Sequence, residues 1–370
     1  MRTIVPTSLG SSAAALDAVI DLFVEGDELY DAMLGSIERA TRSIELETYI
    51  LYWDEVGRPL LEAMAASARR GVQARLHVDA FGSLFGFPRS AERWLKSQGV
   101  QVRRFHRWTW RDPLRYNRRN HRKLLIVDGN EAYLGGFNLH RECSRRHVGE
   151  GRWRDTHVRV HGSLAAHAQL LFDLFWRRRR LRGPLPELPA QHVLLSNHGP
   201  NGARRMRRVM DGLLDGACDR IWLTTPYFVP DTHVQNKLIR AARRGVDVRV
   251  LVPNKCDVRM ARWASHAAYA RLLANGVRIF EYMPRVLHAK TAVVDHAWSV
   301  VGTANLDYRS FFLNYEVNLF SEEPALTAAL HDQFLADLAE SDEVCADKWS
   351  RRHWLHYPLE AIGWLARRWL

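Results

Sequence analysis

Short apolar runs alternate along this chain with stretches whose apolar positions recur at helical spacing. Around residue 43 the sequence RSIELETYILYW predicts a buried strand, preceded by a helical stretch over residues 29–40. An amphipathic helix follows and ends in SARRGVQARLHVD, at residues 67–79. In the second half DRIWLTTPYFV again predicts a buried strand, and the helix after it ends in AARRGVDVRVLVP, at 241–253. The shared A-R-R-G-V marks a helix with a basic last turn and a glycine stop, feeding a strand. Each half then offers another helix and another strand opened by Gly-Val, at Gly99–Val100 and Gly276–Val277. The predicted order is β-α-β-α-β-β-β, twice, which calls for an α/β fold of mixed sheets flanked by helices. The join falls in RRRRLRGPLPELPAQ, where a charge run meets a Pro-rich stretch, so the expected domains are 1–184 and 185–370.

With 370 residues, 47% of them hydrophobic, the chain can bury two ordinary cores. Cys143, Cys218, Cys256 and Cys345 form no C-x-x-C pair and read as free buried thiols in a reducing compartment. Asp17 and Asp21 interrupt the apolar N-terminal stretch, so neither a signal peptide nor a spanning helix is expected there. The formal charge of +12 favours an anionic partner without choosing among nucleic acid, acidic lipid and a phosphorylated substrate. Only six basic residues are lysines: Lys96, Lys123, Lys237, Lys255, Lys290 and Lys348. Two of them stand in motifs.

The first motif is His121-x-Lys123-x4-Asp128, followed by Gly135-Gly136-Phe137-Asn138. The second is His288-x-Lys290-x4-Asp295, followed by Gly302-Thr303-Ala304-Asn305. From His to Asn is the same step in both, 138 − 121 and 305 − 288. Two such patterns at matching places in a repeat are no accident of composition. His and Lys two apart on a strand share a face, whereas Asp128 and Asp295 fall at the strand's end on the opposite parity and read as turn anchors. Lysine repels a cation and cannot ligate while protonated, so the pattern makes an anion pocket and no metal site. His106, His140, His157, His161, His192 and His198 lack this context and read as packed core histidines.

On these motifs, with TPYFVPD, GTANLDYRS, NYEVN and, in the first half, WRDTHVRVHG, the chain resembles the phospholipase D superfamily, and within it the bacterial cardiolipin synthases. The resemblance implies two pseudo-twofold-related repeats whose motifs meet in one pocket, with His121, Lys123, Asp128, His288, Lys290 and Asp295 as the catalytic set. It also implies phosphatidyl transfer to phosphatidylglycerol or another alcohol, with phospholipase D or phosphodiesterase hydrolysis as the alternative and nuclease action behind it. It further implies a phosphohistidine intermediate, with His121 as nucleophile, His288 as acid/base, and no cofactor. The family's Gly-Ser after the motif is replaced by Gly135-Gly136 and Gly302-Thr303. Thr303 can keep a hydroxyl donor there and Gly136 cannot.

A phosphodiester resists attack until its transferring oxygens meet preorganised donors, a role that fits Lys123 and Lys290 with Asn138 and Asn305. A nucleophilic imidazole needs an acceptor on its other nitrogen. By placement in the repeat, Asp155 is expected to orient His121, and Glu316 to orient His288. The expected partners are phospholipid substrates, phosphatidylglycerol among them, and an anionic membrane surface, with nucleic acid disfavoured and a monomer sufficient. Aromatic and basic residues interleave in RWTWRDPLRYNRRN before the first motif, as suits a headgroup interface. At the C-terminus PLEAIGWLARRWL predicts a helix with Leu359, Ile362, Ala366, Trp369 and Leu370 on one face and Glu360 and Arg367 on the other. It is too short to span a bilayer and is expected to dock on one, which would place the protein peripherally at the cytoplasmic face of the bacterial inner membrane.

Overall fold

The computed structural model describes residues 20–106, 117–177, 188, 191–199, 201–256, 259–350 and 356–366. Strands β1 (Ile20–Phe23), β2 (Ser43–Thr48), β3 (Gln73–Asp79), β4 (Gln101–Phe105), β5 (Leu124–Val127), β6 (Glu131–Gly135) and β7 (His157–His161) form one sheet, ordered β1-β7-β6-β5-β2-β3-β4. The second sheet contains β8 (His192–Ser196), β9 (Arg220–Thr224), β10 (Asp247–Pro253), β11 (Arg278–Tyr282), β12 (Thr291–Val294), β13 (Trp298–Gly302), β14 (Val317–Ser321) and β15 (Ser341–Glu343). Its order is β8-β14-β13-β12-β9-β10-β11-β15, the same topology with one strand added at the far edge. In each sheet the three strands joined by helices run parallel, β2-β3-β4 and β9-β10-β11.

The predicted order reappears as β2 to β6 and β9 to β13 with their helices, within a mixed α/β fold. Sequence reading missed the edge strands β1 and β8. β1 is only IDLF, and its Asp21, which made the segment look like an interrupted apolar run, pairs with Arg159 of β7 at 2.8 Å. Of the four thiols only Cys143 is buried.

The halves share a core. Helices Ser163–Trp176 and Pro324–Ala339 lie between the sheets, so that Ile126, Val158 and Phe172 join Val293, Leu319 and Phe334 in one apolar cluster. Each such side chain removed from water contributes ~1.5–3 kcal/mol. Separate clusters cover the outer faces of the two sheets. The repeat diverges where matched strand positions meet these helices. Glu45 on β2 binds Arg75, which also holds Asp173 of the first helix. Trp222 on β9 instead stacks on Phe334 of the second.

Asp128 and Asp295 are structural staples. Both have positive φ, 54° and 53°. The Asp128 carboxylate accepts the backbone N–H groups of Thr41, Arg42 and Ser43 at 2.6–3.0 Å, tying the end of β5 to the start of β2. Asp295 holds Cys218, Asp219 and Arg220 in the same way. Each sits at the opposite end of its strand from the motif histidine, so neither belongs to a catalytic pocket, which corrects the set implied by the resemblance.

Near the C-terminus, helix His356–Ala366 packs on helix Arg259–Leu273. Gly363 makes the close approach: a Cβ there would come within 2.5 Å of the Ala264 backbone. Glu360, expected on the solvent side, is buried, whereas Leu365 is 77% exposed. The lack of a side chain at Gly363 allows this close helix contact. Trp369 and Leu370, residues 107–116 of the basic aromatic loop and most of the charged join lie outside the described residues.

Asp128→Ala or Asp295→Ala should lower unfolding free energy by about 1–3 kcal/mol, from three backbone donors left unpaired, while kcat of the folded protein stays within a few-fold. Denaturant titration beside kcat checks this. A large loss of kcat at unchanged stability would return these residues to the chemistry.

Candidate active site

His121 and Lys123 lead into β5, and His288 and Lys290 lead into β12, all four at most 6% exposed. Their backbone is held by the opposite half. Asn120 forms a parallel bridge to Tyr315, and Leu287 to Arg154. The N–H of His121 donates to Tyr315 O at 3.0 Å, and that of His288 donates to Arg154 O at 2.7 Å. The residue after each bridging position then faces the histidine. Glu316 Oε2 lies 3.0 Å from His121 Nδ1, and Asp155 Oδ2 lies 2.5 Å from His288 Nδ1. The expected pairing is therefore reversed. Both carboxylates do face imidazoles, but each serves the histidine of the other repeat, because the parallel bridges run between halves. Spacing within one repeat carries no trace of that exchange.

The two imidazoles differ in their surroundings. His121 Nδ1 also lies 3.0 Å from Thr303 O, so a proton on Nδ1 sits between two acceptors and Nε2 carries the lone pair. Lys290 Nζ lies 2.9 Å from both ring nitrogens of His288 and also donates to His288 O. Lys123 Nζ donates to His121 O at 2.9 Å and stands 5.6 Å over the Tyr49 ring.

Asn138 and Asn305 are buried beside the motifs. Asn138 Oδ1 accepts the Ile50 N–H at 3.2 Å, and its buried Nδ2 has no protein acceptor. Asn305 leaves its Oδ1 unpaired, so a half-turn of that amide would present NH2 at the same point. The Thr303 hydroxyl is committed to β14: it accepts the Val317 N–H at 2.9 Å and donates to Val317 O at 3.3 Å. It is not the spare donor that the sequence suggested. Gly136 has a steric reason, since a Cβ there would come within 1.9 Å of Asp155 Oδ1.

Sequence reading also missed three supports. The Tyr49 ring packs 5.1 Å from His121, and Trp153 packs 5.4 Å from His288. Arg154, 3% exposed, is gripped by Asp337 of helix Pro324–Ala339 at 2.9 and 3.1 Å. Trp153 and Arg154 open the WRDTHVRVHG element beside Asp155, which was the available signal for both. Of the histidines read as core, His140, His157 and His192 are buried, and His106, His161 and His198 are only half-buried. Among the described residues no three His, Cys, Asp or Glu side chains cluster as a metal site requires.

Charge sets the protonation states. Burial pulls His121 below the ordinary histidine range, with Glu316 opposing and Lys123 and Lys290 adding to the fall. Burial and then Lys290 pull His288 down, against Asp155. Burial would raise Asp155, but Lys290 and His288 outweigh it and keep the carboxylate ionised. Lys123 is lowered to about 7 by burial and then by the charge of Lys290. Two buried lysines beside two neutral imidazoles suit a ligand that brings negative charge.

A family model described as "Cardiolipin synthase, PLD-like domain" matches residues 33–151 and 210–338. The cardiolipin synthase of Listeria innocua is 35% identical over 364 residues, covering 94% of this chain and 74% of that protein. Cardiolipin synthase 2 of Bacillus anthracis is 34% identical over 358 residues, covering 93% and 69%. A solved phosphatidylserine synthase of Haemophilus influenzae superimposes over 95% of each chain with a TM-score of 0.73, at 13% identity, a likeness of fold alone. The fold is thus that of the phospholipase D-like proteins, as the motifs implied. Within that class the chain belongs to the cardiolipin synthase family, whose enzymes transfer phosphatidyl groups.

The protonation states predict a bell-shaped kcat/KM. The acid limb falls below the ordinary histidine range, where His121 gains a proton and loses its lone pair. On the alkaline side kcat/KM declines as His288, lowered by burial and Lys290, gives up its acid proton. It falls more steeply near 7, as Lys123 loses its charge. A bound phosphodiester restores the Lys123 proton, so the alkaline limb of kcat should lie at higher pH than that of kcat/KM. Steady-state rates on a soluble diester from about pH 5 to 10 check this. Coincident alkaline limbs would contradict it.

Proposed function

We propose that this protein is a cardiolipin synthase-like phosphatidyl transferase, working through a phosphohistidine and moving a phosphatidyl group to phosphatidylglycerol or another alcohol. One observation supports the reading above the rest: each motif imidazole has Nδ1 facing a buried carboxylate of the opposite half, which leaves His121 Nε2 for chemistry. His121 Nε2 attacks phosphorus in line, and the bond from phosphorus to the leaving glycerol oxygen breaks. His288 delivers the proton to that oxygen, and the negative charge of the bound phosphodiester helps it to hold that proton beforehand. The acceptor hydroxyl then passes its proton to His288 and attacks phosphorus, while the P–N bond returns its electron pair to His121. Lys123 and Lys290, with Asn138 and Asn305, stabilise the charge on the transferring oxygens. No step calls for a cofactor.

His121 is favoured as nucleophile because Lys290 lies against both nitrogens of the His288 ring. One chain supplies both motifs and both carboxylates, so a monomer suffices. Among the described residues no helix is long and apolar enough to cross a membrane. The reading includes peripheral docking on an anionic bilayer at the cytoplasmic face, and no role on nucleic acid.

Acid quench during turnover of radiolabelled phosphatidylglycerol should trap label on His121. His121→Ala and His288→Ala should each slow turnover by on the order of a thousandfold or more, and lipid mass spectrometry should find cardiolipin as the main product. Label on His288 would reverse the two roles. Phosphatidic acid as the sole product would make the enzyme a hydrolase, and full activity in either variant would remove the shared pocket.

A further inference from the structure

The loop at residues 80–87, AFGSLFGF, leaves the carboxyl end of β3 and carries three large apolar side chains to the surface: Phe81 at 48%, Leu84 at 53% and Phe85 at 92% exposure. Its backbone is tightly held. Asp79 Oδ1 accepts the N–H groups of Phe81 and Gly82 at 2.9 and 3.2 Å. The fully buried Ser83 hydroxyl donates to Tyr49 O and accepts the Leu51 N–H, and the Trp53 N–H donates to Gly86 O at 2.7 Å. Gly82 and Gly86 press on Tyr49 and Tyr52, where a Cβ would come within 2.4 and 1.9 Å. A loop this well fixed could fold its apolar tips inward, yet it holds Leu84 and Phe85 out in water.

The same anchors reach the active site. The Asn120 N–H, one residue before His121, donates to Asp79 Oδ2 at 2.8 Å, and the Tyr49 that carries Ser83 packs on the His121 ring. In open α/β sheets ligands enter beyond the carboxyl ends of the parallel strands, which is where this loop stands. Arg89 and Arg93 are exposed on the helix Arg89–Ser97 that directly follows it. Across the pseudo-twofold axis, the helix after β10 exposes Met260 at 39%.

We propose that the 80–87 loop is a bilayer-docking element, inserting Leu84 and Phe85 among the acyl chains of an anionic phospholipid surface and so bringing the mouth of the active site to the membrane plane. This deepens the proposed function and rests on its phospholipid substrate. The rigid anchoring holds the apolar tips at a fixed height relative to His121. Nearby arginines meet lipid phosphates, and the +12 charge of the chain draws it to the same surface.

The test compares full-length protein with the double variant Leu84→Ser/Phe85→Ser on vesicles of phosphatidylglycerol and phosphatidylethanolamine, and on monomeric short-chain phosphatidylglycerol. Vesicle affinity by co-sedimentation should fall at least about tenfold, the expected scale for two large apolar side chains kept out of the bilayer. Activity on vesicles should fall with it, while thermal midpoint and kcat on the short-chain lipid stay unchanged. Restoring an interfacial aromatic, as Leu84→Ser/Phe85→Trp, should recover most of the binding. Unchanged vesicle affinity would overturn the proposal. So would an equal loss on short-chain lipid, which would make the loop a support of catalytic geometry, or binding that survives the double variant but is lost on truncation after Lys348. Should wild-type protein form no phosphatidyl product while its vesicle binding still depends on Leu84 and Phe85, docking stands and the assigned reaction fails.

Discussion

A buried imidazole that must offer one nitrogen to phosphorus needs its other nitrogen tied down, and in this chain neither repeat can do that for itself. His121 takes its acceptor from Glu316, and His288 takes its acceptor from Asp155. The parallel bridges Asn120–Tyr315 and Leu287–Arg154 make the exchange possible, by setting the motif of each half against a strand entry of the other. Much else follows from that arrangement. The core shared through helices Ser163–Trp176 and Pro324–Ala339 fixes the two sheets relative to one another. Asp337 reaches from the second helix to clamp Arg154, whose carbonyl holds the His288 backbone. Removing one member of such a buried pair leaves an uncompensated charge, a cost of about 3–5 kcal/mol.

Lys123 and Lys290 are crowded together in the enclosed pocket before anything binds, with Glu316 and Asp155 engaged by the imidazoles. The charge of Lys290 pushes Lys123 toward the neutral form, and both lysines lower the imidazoles. An anionic phosphodiester relieves that repulsion on entry, so part of the recognition is release of strain already present among the cations. A divalent metal would worsen it. The same electrostatics favour the transition state, whose equatorial oxygens carry more localised charge than the bound diester.

Much of this was legible in the sequence because it is local. The A-R-R-G-V junctions marked helix-to-strand turns, the His-x-Lys pairs marked strand entries, and equal spacing to Asn138 and Asn305 marked the repeat. Opposite parity correctly removed Asp128 and Asp295 from the pocket face, against the role that the resemblance would give them. What failed was long-range. Asp155 and Glu316 were found as orienting groups, but the exchange between halves is a property of docking and leaves no mark on spacing. β1 was invisible because four residues with an acidic side chain form a strand only when Arg159 of β7 stands opposite. Thr303 offered a hydroxyl on paper, and β14 uses it. In the C-terminal helix, periodicity put Glu360 toward solvent, and packing on helix Arg259–Leu273 buries it.

The exchange of carboxylates between halves is best tested by 15N NMR of histidine-labelled protein, reading the Nδ1 and Nε2 shifts of His121 and His288. The arrangement predicts that Glu316→Gln moves the resonances of His121 and leaves those of His288 nearly in place. Asp155→Asn should do the converse. If instead Asp155→Asn moves His121 and leaves His288 in place, each repeat orients its own histidine and the crossed pairing is wrong.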